Sequence, residues 1–201
     1  MVGTDNQTGR PQIEDGAQES KMKVLQINTV CGRGSTGRIA TDLLSCLKES
    51  GDTGIIAYGI GPMLNAKQEE TYNIDTKIEY CVHNALSRIT DKEGYYSSFA
   101  TKRLIKKVQE YRPEVIHLHN IHGHYLNYEM FFSFLKKSKI PVIWTFHDCW
   151  PFTGHCSHFT IVKCEQWKSH CSHCSQLRCY PACYTKGNVN NNFARKMQCF
   201  T

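Results

Sequence analysis

The 201 residues contain no apolar run near the roughly 18 needed to cross a bilayer as a helix, so no membrane-spanning helix is expected. The first twenty, MVGTDNQTGRPQIEDGAQES, also lack the basic start and apolar middle of a secretory signal. Both absences point to a soluble cytoplasmic chain. In that reducing compartment the eleven cysteines are expected as thiols or metal ligands rather than disulfides. There is no internal repeat, and the only low-complexity stretch is the short asparagine run Asn190–Asn192.

Residues 1–21 show neither helical nor strand periodicity and read as a disordered leader. Four acids and one base fall in residues 1–20, so the formal +6 of the chain becomes +9 for the remainder. A body so basic suits phosphate-bearing small molecules, an anionic membrane surface or nucleic acid, and charge alone does not choose among them.

From Lys23 the pattern becomes definite. KVLQINTV reads as a buried strand and CGRGSTG as a glycine-rich turn. Ser35 or Thr36 would cap a helix carrying Ile39, Leu43, Leu44 and Leu47 on one face, ended by Gly51. TGIIAYG (Thr53–Gly59) is a second strand, and residues 60–75 read as loop. One or two helices follow between Lys77 and Tyr111, the later one turning Phe99, Leu104, Ile105 and Val108 inward and stopping before Pro113. VIHLH is a third strand, and YEMFFSFLKKS is a helix with Met130, Phe131, Phe134 and Leu135 apolar. PVIWTF, up to Phe146, is a fourth strand. Strands and helices alternating at this spacing imply an α/β domain over residues 22–148, a parallel sheet with helices on both faces. A Cys-rich loop over 149–184 is appended to it, and residues 185–201 start a helix that is cut short.

The candidate chemistry lies at the carboxyl ends of the strands, where open α/β sheets bind ligands. Gly32, Gly34 and Gly37 make a literal G-x-G-x-x-G between a strand and a helix, a pattern that lets backbone N–H groups approach a phosphate. The second strand ends Ala57-Tyr58-Gly59, without the acid that holds a dinucleotide's ribose. Contact with a phosphate or sugar is therefore preferred over dinucleotide binding, with a plain tight turn as the remaining reading; Arg33 and Arg38 suit an anion. His117, His119, His122 and His124 cluster after the third strand, and His119, Asn120 and His122 are candidate polar lining of a crevice. His147 and Asp148 end the fourth strand and, being adjacent, point apart, so they do not form an acid–base dyad. Trp150 and Phe152 offer rings for a sugar face or for packing. Cys156, Cys164, Cys171 and Cys174, spaced C-x7-C-x6-C-x2-C, suit a structural zinc, with disulfides or unligated thiols as alternatives and His155, His158, His170 and His173 as substitute ligands.

KVLQINTVCGRGSTGRIATDLL, PEVIHLHNIHGHYLN and above all IPVIWTFHDCWPFTGHCSHF with its following cysteines resemble the amino-terminal domain of family-four (GT-B) glycosyltransferases, in particular the exopolysaccharide and colanic-acid-type subgroup. The likeness spans about residues 22–200. It implies a Rossmann-like half that receives the acceptor, paired with a second half that binds a nucleotide sugar. It also implies glycosyl transfer with retention of configuration, without a catalytic metal, in polysaccharide biosynthesis. By position, Gly32, Gly34, Ser35, Gly37 and Arg38 would face the donor phosphates. His147 would be the catalytic residue near the reacting sugar, and His119, Asn120, His122, Asp148 and Trp150 would bind substrate. The acceptor would be a saccharide or lipid-linked saccharide, and the basic helix faces are read as a peripheral contact with an anionic inner membrane where such acceptors sit. On this resemblance the donor-binding half is expected to be missing and to come from another chain, so the chain alone is expected to transfer sugar poorly. The rival reading is a basic, zinc-bearing nucleic-acid module, and a third is a noncatalytic remnant that binds an acceptor or partner.

Overall fold

The computed structural model describes residues 21–200, so the expected leader lies almost wholly outside the described residues. Five parallel strands form one sheet in the order β3-β2-β1-β4-β5: β1 (Lys23–Asn28), β2 (Thr53–Tyr58), β3 (Thr71–Asn73), β4 (Val115–Leu118) and β5 (Val142–Trp144). Five helices connect and follow them: α1 (Gly34–Glu49), α2 (Lys77–Thr90), α3 (Ser98–Tyr111), α4 (Tyr128–Ser138) and α5 (Val189–Phe200). The expected architecture of a parallel sheet with helices on both faces is the one found. The fifth strand, β3, lies in the segment expected as loop. It is three residues long, too short for its alternation to show in the sequence.

The period-two geometry of a strand divides the core in two. Leu25, Ile27, Ile55, Ala57, Ile116 and Leu118 point to one face and pack with Ala100, Leu104 and Val108 of α3 and Phe131, Phe132 and Leu135 of α4. Ile56 and Tyr58 point to the other and pack with Ala40 and Leu44 of α1. α1 therefore presents Gly37, Ala40, Thr41 and Leu44 inward. Ile39 and Leu43, expected on its buried face, are exposed, because small residues at 37, 40 and 41 let the helix lie close to the sheet on that side. Phe99 is likewise exposed rather than core. β5 is an edge strand, with Val142 and Ile143 exposed.

The helix cap also differs from expectation. Arg33 is the N-cap, without a side-chain cap bond, and Ser35 and Thr36 lie inside the first turn. Gly32 and Gly34, with φ of 68° and 61°, deliver the chain straight into the helix. The loop is closed by Gly32 N–H donating to the Gly37 carbonyl at 3.1 Å.

The Cys-rich segment is stitched into the domain rather than merely appended. Tyr184 N–H donates to the Arg88 carbonyl at 2.7 Å, and Thr185 Oγ1 donates to the Ile89 carbonyl at 2.6 Å. Nδ1 of His155 lies 2.5 Å from Oδ1 of Asp91. From α5, the fully buried Lys196 donates through Nζ to the carbonyls of Trp150 (2.8 Å) and Thr153 (3.1 Å).

Candidate functional site

All the candidate polar residues gather where β1, β2, β4 and β5 end. Thr29, just past β1, donates through Oγ1 to the carbonyls of Asn120 (3.1 Å) and His122 (2.6 Å), while Asn28 Oδ1 accepts from Asn120 N–H at 3.3 Å. The loop after β4 is thereby tied to the root of the glycine turn. The close approach demands glycine at 123, where a Cβ would stand 2.7 Å from Thr29 Cγ2. A Cβ on Gly32 would lie 1.9 Å from the Leu64 carbonyl oxygen, so the glycine turn is also seated tightly on the loop after β2. Arg33, Gly34, Ser35 and Arg38 remain exposed, with no acid in the first turn of α1, an arrangement open to an anion.

His147 and Asp148 engage different partners, as their adjacency implied. Nε2 of His147 lies 2.9 Å from Nδ1 of His119, and Nε2 of His119 lies 3.0 Å from Oε1 of Gln26. Gln26 Nε2 donates to the Ala40 carbonyl at 3.0 Å, so its Oε1 is free to accept. Burial, with the neighbouring imidazoles of His117 and His147, pushes the pKa of His119 down to about 3, so its ring is neutral. A neutral His119 donating Nε2–H to Gln26 has only a lone pair at Nδ1, so His147 must donate Nε2–H to it and keep its own lone pair at Nδ1. Burial also lowers the pKa of His147, against the pull of Asp148. The result is an oriented neutral imidazole that accepts a hydrogen bond at a defined nitrogen.

Asp148 is engaged at both oxygens: Oδ2 lies 2.7 Å from His122 Nε2, and Oδ1 accepts from Trp150 N–H at 2.9 Å. Burial is the largest single influence and would raise its pKa, but the bond and charge of His122 together with the Trp150 N–H outweigh it and hold the pKa low. Nδ1 of His122 in turn faces the Tyr180 hydroxyl at 3.2 Å. Asp148 and His122 thus shape the loop. Trp150, read as a ring for a sugar face, is corrected to a packing residue. It is 1% exposed, with Lys196 Nζ 3.5 Å from its ring centroid and Tyr128 edge-on to it.

Several residues here had little or no sequence signal. Gln26 is one polar residue inside an apolar strand, which was the available clue. Glu93 is buried and accepts at Oε1 from Gly123 N–H (2.7 Å) and His124 N–H (2.8 Å), while Oε2 abuts Nδ1 of His124. Among the described residues, His83, Glu93 and His124 form the one set of three potential metal-binding side chains within 4.8 Å of one another. His83 Nε2 is occupied, accepting from Gly94 N–H at 3.1 Å, and burial lowers the His83 pKa to about 4. Both ring nitrogens of His83 are thus engaged, Nδ1 by the Ser97 hydroxyl at 2.7 Å, while Glu93 Oε2 and His124 Nδ1 face each other as an ion pair without a hydrogen bond. A larger cavity, about 610 Å³, opens beside the ends of β2 and β3, lined among others by Gly59, Gly61, Asp75, Lys77 and Tyr80. Asp75 Oδ2 has no partner there, and burial raises its pKa to about 7.

Cys156, Cys164, Cys171 and Cys174 line one small cavity of about 20 Å³, with His155, whose buried Nε2 lacks a partner, on the same wall. All eleven cysteines are free thiols. The hydrogen bond between Cys156 and Cys174 raises the pKa of the first and lowers that of the second, while burial raises that of Cys171. The four sulfurs are gathered around one space but not drawn into a closed tetrahedron. Cys179 and Cys183 lie outside it, and nothing in the structure gives them a role.

A parallel α/β sheet with a glycine turn and an oriented histidine at its carboxyl edge belongs to the open α/β class that binds ligands at that edge. Residues 36–175 match the family model for Glycosyltransferase Family 4, and the chain belongs to that family. It is also 27% identical over 170 residues to a protein of Escherichia coli (strain K12) named as a colanic acid biosynthesis glycosyl transferase, WcaC; the match covers 80% of this chain and 41% of that relative. The chain thus spans less than half the length of the curated relative it matches.

Proposed function

We propose that this chain forms the acceptor-side half of a glycosyltransferase of polysaccharide biosynthesis. The sugar comes from a nucleotide-sugar donor and passes to a saccharide or lipid-linked acceptor at the cytoplasmic face of a membrane. The observation that carries this reading is the ordered chain from Gln26 through His119 to His147, beside an exposed, acid-free glycine turn. In this scheme His147 Nδ1 accepts a hydroxyl hydrogen of the reacting sugar and holds the ring in register. The first turn of α1, with Arg33 and Arg38, faces the departing phosphates, where positioned positive charge stabilises the transition state. The cavity beside Asp75 holds the acceptor: a carboxyl with a pKa of about 7 both donates to and accepts from hydroxyls near neutrality.

The four loop cysteines are proposed as a structural zinc site. A thiol-lined space the size of one atom, inside a loop with little regular structure, suits tetrahedral metal, which would deprotonate the sulfurs and draw them inward. Saturation-transfer NMR with a panel of saccharide acceptors tests the functional reading. Contact is expected with the wild-type chain and is weakened in His147→Ala and Asp75→Ala; no contact across the panel would overturn it.

A further inference from the structure

α2 is amphipathic in the wrong direction for a helix that only packs against its own domain. The residues it buries are polar, His83 and Ser87, whereas its exposed face carries Ile78 (78% exposed), Val82 (53%), Leu86 (37%) and Ile89 (60%). Positions 78, 82, 86 and 89 fall on one stripe at the helical period. Phe99, 71% exposed at the start of α3, continues the stripe across a groove of about 360 Å³ shared with Ile78, Val82 and Leu86. An apolar patch of this kind on a globular protein marks an interaction site.

The charge around the stripe that is not paired off is basic. Lys77 and Arg88 flank it on α2, and Lys102 Nζ stands 5.7 Å from the Phe99 ring centroid. The exposed ring of Tyr184 sits at the carboxyl end of α2, with the guanidinium groups of Arg88 and Arg178 each 5.6 Å from its centroid. The one acid on α2, Glu79, lines the groove too, but its carboxylate is paired with Arg103 (2.6 Å) and accepts from the Ala100 N–H (2.9 Å). Exposed aliphatic groups, a tyrosine and a basic rim are the chemistry of a helix lying in the surface of an anionic bilayer. Among the described residues no helix is long and apolar enough to cross a membrane, so such a contact would be peripheral.

We propose that the α2 stripe with Phe99 and Tyr184 docks this domain onto an anionic membrane, a partner in the glycosyltransferase reading above that this inference locates. Lys77 and Tyr80 of α2 also line the cavity beside Asp75, so docking would set the acceptor cavity at the lipid surface, where a lipid-linked saccharide enters. Co-sedimentation with phosphatidylcholine vesicles, with and without a large fraction of phosphatidylglycerol, tests it without any sugar or donor, so its failure is separate from failure of the transferase reading.

Binding to the phosphatidylglycerol vesicles is expected, weakened by high salt. The double variant Ile78→Ser/Ile89→Ser, altered only at exposed positions, should lower it by about tenfold or more. Circular dichroism checks that this variant is folded, and Lys102→Gln with Arg88→Gln provides a second, charge-only test. Vesicle binding that the stripe variant leaves unchanged would overturn the proposal. So would no binding at all, or a dimer of this chain, detected by light scattering, that the stripe variant abolishes.

Discussion

Nε2 of His147 lies 2.9 Å from Nδ1 of His119, and that contact decides which nitrogen of His147 is left to meet a ligand. Because His119 donates to Gln26, it accepts from His147, so the Nε2–H tautomer of His147 is the one populated at neutral pH. Nitrogen-15 NMR of the imidazoles checks this: His147 should show a protonated Nε2 and a pKa below the ordinary histidine value. In Gln26→Leu, His119 loses its acceptor, and the tautomer preference of His147 should relax. A His147 spectrum unchanged by that substitution would refute the relay.

The same burial sets a dependence of stability on pH. The folded pKa values of His83 and His119, about 4 and about 3, lie below the ordinary 6.5, so in the window between them the unfolded chain binds more protons. Stability is therefore expected to fall as pH drops from about 6.5 towards 4, with up to about two protons taken up on unfolding near pH 5. Asp75 acts in the opposite sense: its folded pKa, about 7, lies above the ordinary 3.8, and its contribution is lost as pH rises through that window. Urea denaturation at several pH values reads the sum, and Asp75→Asn should make the alkaline side of the profile relatively more stable.

The alternation of apolar runs with helical periods carried most of the architecture, because β1, β2, β4, α3 and α4 each bury a stripe that their own period displays. The elements that escaped did so for physical reasons. β3 is three residues of ladder on a sheet edge, and the count of one or two helices between Lys77 and Tyr111 stayed open because α2 turns its aliphatic residues to solvent and buries polar ones. In the site, residues near each other in sequence were legible: the glycine turn, the histidines after β4 and His147. Gln26, Glu93 and Lys196 were not, since each acts on a segment 30 or more positions away. Trp150 shows the limit of residue type as a guide. A tryptophan after the catalytic candidate suits a sugar face, but burial under Lys196 assigns it to packing.

Lys196 fixes the loop after His147 from below, and its amine, fully buried, is pushed down to about 7 by that burial. The unfolded chain holds the proton up to about 10.5, so between pH 7 and 10 the wild type should gain stability relative to Lys196→Met as pH rises. Lys196→Ala removes both the donor to two carbonyls and the stem that fills the space. The lost hydrogen bonds alone should cost about 1–3 kcal/mol, and the cavity adds to that. Chemical denaturation of the three proteins at pH 7 and 9 measures both effects; parallel curves for wild type and Lys196→Met would show that the amine is not shifted.

The cysteine cavity leads to a prediction that chelation reads directly. If Cys156, Cys164, Cys171 and Cys174 hold zinc, mass spectrometry of the native protein should find one metal per chain, and the exposed Cys46, Cys81 and Cys179 should react with a thiol reagent before these four. Removing the metal should release the four thiols together and lower the melting temperature, because binding energy in such a site is folding energy. The loss should reach the rest of the site. His155 in this loop is bonded to Asp91, and Lys196 holds Trp150 and Thr153, so a loosened loop frees the segment that presents His147 and Asp148. Cys171→Ser should reproduce the effect of chelation, whereas Cys46→Ser, on the exposed face of α1, should not. A native protein with no bound metal, whose four loop thiols react no differently after chelation, would rule out the zinc site and leave Lys196 and Asp91 as the tethers of the loop.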